Sequence, residues 1–124
     1  MNANDDLGQS DAISALRDRL RQFASDRNWG RFHTPKNLAT ALNVEAAELL
    51  EHFQWLEDGT RDELSPQSQA GVREELADVL LYLIMLADKL DVDLVTAAHD
   101  KLALNAEKYP VAKARGTSKK YTEL

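Results

Sequence analysis

Glu74-Glu75-Leu76-Ala77-Asp78-Val79-Leu80-Leu81-Tyr82-Leu83-Ile84-Met85-Leu86-Ala87 is the stretch on which the fold of this chain turns. It holds neither glycine nor proline and is too long for a strand, so it reads as a helix. Glu75 and Asp78 stand three residues apart and share one face of it. Upstream, Ala41-Leu42-Asn43-Val44-Glu45-Ala46-Ala47-Glu48-Leu49-Leu50-Glu51 repeats the arrangement with Glu45 and Glu48. The apolar stripe there is Leu38, Leu42, Leu49, Phe53 and Leu56, and Glu45 occupies the step where the next core residue is due. Two such faces turned toward each other crowd four carboxylates into a space of low dielectric, which requires protonation or a cation. Oxygen donors without Cys select a hard cation, Mg²⁺ first and Mn²⁺ second. Glu51, one further step along, is a further ligand, a water-orienting base or a solvated neighbour.

Composition supports a helical reading. The 124 residues fit one domain, 44% of them hydrophobic, with 5 Gly, 3 Pro and 6% aromatics. Scarce turn residues and abundant Ala, Leu, Glu, Lys and Arg indicate an all-α fold, a bundle of four to five helices. A formal net charge of −6 argues against a protein that coats a nucleic-acid polymer. A small anionic substrate stays compatible, because bound divalent cations reverse the local sign. The absence of Cys excludes disulfides and thiolate chemistry. No apolar run reaches membrane-span length, and the first ten residues lack a signal-peptide core, so a cytoplasmic protein without membrane contact is expected.

Residues 1–10 read as a disordered lead, 11–110 as a helical catalytic domain and 111–124 as a basic tail. The first helix is expected from Ser10-Asp11, with Ile13, Leu16, Leu20 and Phe23 at helical spacing, fading before Asn28-Trp29-Gly30. Thr34-Pro35 is a cap followed by proline at the first helical position, and predicts a second helix to about Glu57, stopped by Asp58-Gly59. Ser65-Pro66 repeats that signature for a third helix to about Leu90. Asp93 caps a fourth, which Tyr109-Pro110 ends. The segment Val79–Ala87 is apolar all round, and a helix of that kind is buried on every side. One small bundle rarely surrounds a helix so fully, so a homo-oligomer is expected.

Aromatic and polar groups gather near the acidic faces. Tyr82 follows Asp78 by four residues, Trp55 follows Glu48 by seven, and Trp29 and His33 precede the second helix. Rings beside an anionic cage suit a planar ligand, although each alone is also an ordinary core or capping residue. Lys101, Asn105 and Lys108 share one face of the fourth helix, an ordinary solvated face unless it lies near a cation, where it would clamp phosphate oxygens. The Glu-x-x-His pair of di-iron bundles is absent, as are a Walker loop, GxGxxG and GxSxG.

The pattern Glu45-x-x-Glu48 followed by Glu75-x-x-Asp78 resembles the signature of the all-α, MazG-like nucleoside triphosphate pyrophosphohydrolases. The likeness extends through Arg27-Asn28-Trp29, Phe32-His33-x-Pro35-Lys36-Asn37-Leu38, Phe53-Gln54-Trp55, Tyr109-Pro110-Val111 and Arg115-Gly116 with Lys120-Tyr121-Thr122. It covers about residues 13–124, and the flanking Trp, His and Tyr motifs look like the dCTP pyrophosphatase branch. The resemblance implies that Glu45, Glu48, Glu75 and Asp78 bind Mg²⁺. It also implies that Trp29, His33, Trp55 and Tyr82 shape a nucleotide pocket, and that helical subunits intertwine as a tetramer. Some eukaryotic members carry a substrate-facing His in the first helix, and Leu20 stands at the matching place here. The expected activity is Mg²⁺-dependent cleavage of dCTP or a modified dCTP to the monophosphate and pyrophosphate. Glu48 or Glu51 would be the base, with Lys101, Asn105 and Lys108 on the far phosphates. The alternatives are the same chemistry on dUTP or another nucleotide, and a non-enzymatic, metal-stabilised helical assembly module.

Overall fold

Five helices and three short 3-10 turns make up the described part of the chain, and no strand occurs among the described residues. The computed structural model describes residues 3–124, with side chains from Ala12 onward. The helices are α1 (Ala3–Asp26), α2 (Pro35–Glu51), α3 (Pro66–Lys89), α4 (Leu94–Lys108) and α5 (Val111–Ala114). The chain divides into two compact units, one ending at Val92 and the other beginning at Asp93. That division falls inside the stretch 11–110 expected as one domain.

The capping signals of the sequence act as read. The Thr34 hydroxyl accepts the Asn37 N–H at 3.2 Å, the Ser65 hydroxyl accepts the Ser68 N–H at 3.1 Å, and Asp93 accepts the Thr96 N–H at 3.0 Å. Each satisfies one of the free donors at a helix start. Pro35 and Pro66 occupy the first helical positions, where no N–H is needed.

Two boundaries differ from expectation. The backbone of α1 is helical from Ala3, ahead of Ser10-Asp11; of the expected disordered lead, Met1 and Asn2 lie outside the described residues. Helix α2 ends at Glu51 rather than near Glu57. Beyond it, the N–H groups of His52 and Phe53 reach back three residues to Leu49 and Leu50, and that of Leu56 to Phe53, so the chain tightens into turns. Phe53 then packs where Gly59, at φ +73°, leaves room: a Cβ there would lie 2.9 Å from the ring.

Helix α1 ends in a Schellman motif. Asn28 takes φ +53°; its N–H bonds the Ser25 carbonyl at 3.1 Å, and the Trp29 N–H bonds the Ala24 carbonyl at 2.9 Å. Asp91, at φ +56°, repeats the motif after α3, with Asp91 N–H on Asp88 and Val92 N–H on Ala87. The turn between α1 and α2 is then tied down by Asn37, whose side-chain amide donates to the Phe32 carbonyl at 2.9 Å.

Within the first unit, α2 packs on α3 closely enough that a Cβ on Gly71 would meet the His52 ring at 2.6 Å. Helix α1 is held to α3 by Arg21, whose Nε donates to Asp88 at 2.8 Å. That guanidinium holds the Asp88 carboxyl below the usual carboxylate range. Full burial is rare: among the described residues the buried hydrophobic ones are Leu38, Ile84 and Ala87. The surround expected for Val79–Ala87 is therefore incomplete in one chain. Leu76, Leu80 and Leu83 form an exposed row along α3, and Leu90 just past its end is exposed too, each 37% or more.

The left-handed geometry at position 28 has a measurable consequence. Asn28→Gly should leave stability near wild type, whereas Asn28→Val should cost about 1–2 kcal/mol, the penalty of a branched side chain in that region. Urea unfolding of the two variants checks it. Equal stability of the two would contradict the role given to this turn.

Candidate metal centre and nucleotide pocket

The inward stripe of α2 consists of Leu38, Ala41, Leu42, Glu45, Glu48 and Leu49, continued past its end by His52 and Phe53, all buried or half-buried. The facing stripe of α3 runs through Val72, Glu75, Asp78, Val79 and Tyr82. Both carboxylate pairs therefore occupy core positions, because a three-residue step keeps them on the face that the neighbouring Leu and Val direct inward. One carboxylate oxygen from each of Glu45, Glu48 and Glu75 lies within 4.8 Å of the others. Asp78 stands outside this tightest group but close enough for its charge to act on Glu45.

The electrostatic cost is visible. One oxygen of Glu45 and one of Glu75 are buried without a hydrogen-bond partner. The Glu45 carboxyl is pushed up to about 7 by its contact with the Glu75 carboxyl first, then by burial, and then by hydrogen bonding to Glu48 and the charges of Glu48 and Asp78. A group forced to keep its proton near neutral pH is one that a cation would relieve. The donors are all oxygen, they converge, and two of them lack partners, which fits a hard divalent ion.

Tyr82 closes one side of the centre. Burial, followed by the charges of Glu45, Asp78 and Glu48, raises its phenol above the ordinary value, so it stays protonated and can donate. Tyr82 and Asp78 also line a cavity of about 460 Å³ between α1 and α3. The other walls include Leu20, Trp29, His33 and Met85. Trp29 is set edge-on to Phe23 (centroids 5.8 Å apart) and to His33 (6.3 Å), so the turn after α1 presents a rigid aromatic wall.

The structure thus brings together Glu45, Glu48, Glu75, Asp78, Tyr82, Trp29 and His33. Trp55 is not among the cavity walls; it lies beyond the end of α2 and is 88% exposed. Glu51 is exposed at the last position of α2, outside the three-carboxylate group. Lys101, Asn105 and Lys108 lie on α4 in the second unit, the two lysines exposed. There the Lys108 ammonium sits 5.0 Å from the ring centre of Tyr121, which in turn meets Tyr109 edge-on. Sequence reasoning passed over Arg19 and Met85, which also line the cavity. The available signal for Arg19 was its place three residues after Leu16 and four before Phe23, at the edge of the apolar stripe of α1.

The description of the MazG-like family matches residues 40–124. The chain belongs to the MazG-like family. It is 47% identical to dCTP pyrophosphatase 1 of Homo sapiens over 105 residues, covering 83% of this chain and 62% of that protein. The Rattus norvegicus protein of the same name is 44% identical over the same length. The MazG-like chain thus spans 62% of the length of these curated relatives. Among solved structures, a pyrophosphatase from Archaeoglobus fulgidus superposes with a TM-score of 0.73 at 41% identity, covering 80% of this chain and 93% of that one. The family match takes in both acidic pairs, Tyr82 and the whole second unit, while Trp29 and His33 precede it.

The raised Glu45 carboxyl makes a signed prediction. Its contribution to stability is fully present below about 4.5, its ordinary value, and is lost as pH rises through about 7. Metal-free protein should therefore lose melting temperature between pH 5 and pH 7.5, as read by circular dichroism in chelator. Millimolar Mg²⁺ should restore it at the upper end, and Glu45→Gln should flatten the metal-free profile. An unchanged slope in Glu45→Gln would assign the pH dependence elsewhere.

Proposed function

We propose that this chain is a Mg²⁺-dependent nucleotide pyrophosphohydrolase that converts dCTP, or a base-modified dCTP, to the monophosphate and pyrophosphate. The observation that carries the reading is a partnerless carboxylate cluster opening, through Asp78 and Tyr82, onto an aromatic cavity. The names of the relatives and of the structural neighbour support it. Glu45, Glu48, Glu75 and Asp78 would hold the ion. A divalent ion bound there neutralises phosphate oxygens and makes water a better nucleophile.

The remaining roles follow from position. Glu48 sits within the cluster while Glu51 is exposed, so Glu48 is the better placed of the two to take the proton of the attacking water. Tyr82 offers its hydroxyl proton beside the cluster. Trp29 supplies a face for the base, a contact worth about 1–3 kcal/mol for any base, and His33 adds a polar group at its edge. The role is one of cleaning the nucleotide pool in the cytoplasm.

Assembly as a homotetramer belongs to the same reading. Its support is the scarcity of buried residues among those described, the exposed Leu76, Leu80, Leu83 and Leu90 of the first unit and, separately in the second, Leu102 at 65% and Leu104 at 51% exposure. Apolar surface on this scale marks an interaction face. Light scattering at micromolar concentration should give the mass of four chains, and a monomer mass would contradict it.

A panel of nucleotides assayed for pyrophosphate release, with and without Mg²⁺, tests the activity. Release should require Mg²⁺ and favour dCTP. Glu48→Gln and Asp78→Asn should each abolish turnover while helical circular dichroism stays near wild type, since removing one of several crowded charges relieves repulsion rather than breaking a pair. Full activity in either variant would remove that residue from the metal set. A preference for dUTP would reassign the base, and no release from any nucleotide would leave a metal-binding assembly module.

A further inference from the structure

Helix α1 contributes one charged side chain to the wall of the 460 Å³ cavity, Arg19. The other arginines of this stretch are committed. Arg17 pairs with Asp18 at 3.1 Å. Arg21 is bonded to Asp88 across the α1–α3 seam at 2.8 Å. Arg27 lies over the Phe23 ring, 3.6 Å from its centre. Arg19 has no carboxylate within ion-pair distance among the described residues. Arg19 therefore lines the cavity with no ion pair among the described residues, on the wall that also carries Leu16, Phe23 and Trp29.

Position separates two uses for it. Triphosphate oxygens would be drawn to a cation held at the Glu45–Glu48–Glu75 cluster on α2 and α3. The α1 wall is apolar and aromatic and suits the base. A guanidinium on that wall meets a base edge, and its parallel N–H groups match two adjacent acceptors while it has none of its own. Cytosine presents such a pair, O2 and N3, on its pairing edge. Uracil and thymine carry a proton on N3, guanine carries one on N1, and adenine offers N1 beside an amino group. Against the pairing edge of any of these the fork loses a bond or meets a donor; the O6/N7 acceptor pair of guanine lies on its other edge, on a larger purine ring.

We propose that Arg19 donates to the O2/N3 edge of a bound cytosine and is a specificity-determining residue of this pocket, an inference that rests on the nucleotide reading above. Arg19→Ala should lower kcat/KM for dCTP about ten-fold or more, mainly through KM, and leave dUTP and dTTP within about two-fold. Arg19→Lys should recover only part of the loss, because an ammonium is a point donor rather than a fork.

The experiment measures kcat/KM for dCTP, dUTP and dTTP in wild type and both variants, with circular dichroism to establish folding. Calorimetric titration of dCMP and dUMP in Mg²⁺ accompanies it. A selective loss for cytosine nucleotides supports the assignment. An equal loss on all three substrates makes Arg19 a phosphate contact and overturns it, as does unchanged selectivity. The monophosphate titration needs no turnover. Absence of pyrophosphate release would therefore sink the proposed activity, while a dCMP-over-dUMP preference lost in Arg19→Ala would still report on Arg19 alone.

Discussion

Repulsion among carboxylates on the facing stripes of α2 and α3 is the constraint around which this structure is organised. Glu45, Glu48 and Glu75 converge where leucines would otherwise interlock. Burying that charge opposes folding unless a proton or a cation compensates. The helix pair must then be held by everything around the cluster. The proline-flanked caps at Thr34 and Ser65 set where each helix begins, and hence which face each pair presents. Gly71 lets the two backbones approach against His52. The result is a crowded site that a bound cation would relieve, in which case binding and folding would pull in the same direction.

The second organising element is the turn between α1 and α2. Asn28 accepts a left-handed backbone at small cost, the Schellman bonds fix the direction of exit, and the Thr34–Asn37 contacts fix the direction of entry. Trp29 and His33 lie between these two anchors, so their rings are positioned by main-chain bonding as well as by packing. The Arg21–Asp88 pair holds the opposite side of the same seam. A cavity built this way keeps its aromatic wall in place without a large core behind it.

Thin burial is the price of the acidic centre and of the modest chain length. Few hydrophobic residues are buried in either unit, and α4 has none. Leucines exposed along α3 and α4 are the complement of that deficit. The family match takes in the acidic centre and these leucines, and the relatives the chain matches are longer than it.

The existence of the helices, the caps at Thr34, Ser65 and Asp93, and the two acidic pairs were legible along the chain. These depend on local spacing and on side chains that bond their own backbone, and neither needs a distant partner. The sequence also marked Tyr82, Trp29 and His33, because their offsets from the acidic pairs or from the Thr34 cap are short. Only the tertiary structure decided which groups meet. It brought three carboxylates together with Asp78 beside them, ended α2 at Glu51 and left Trp55 exposed beyond it. It also put Arg19 on that wall. The physical reason is that a side chain's face is fixed within its helix by a three- or four-residue step, whereas the neighbour it meets depends on how one helix is turned against another, and that rotation is set by long-range packing that no local spacing encodes.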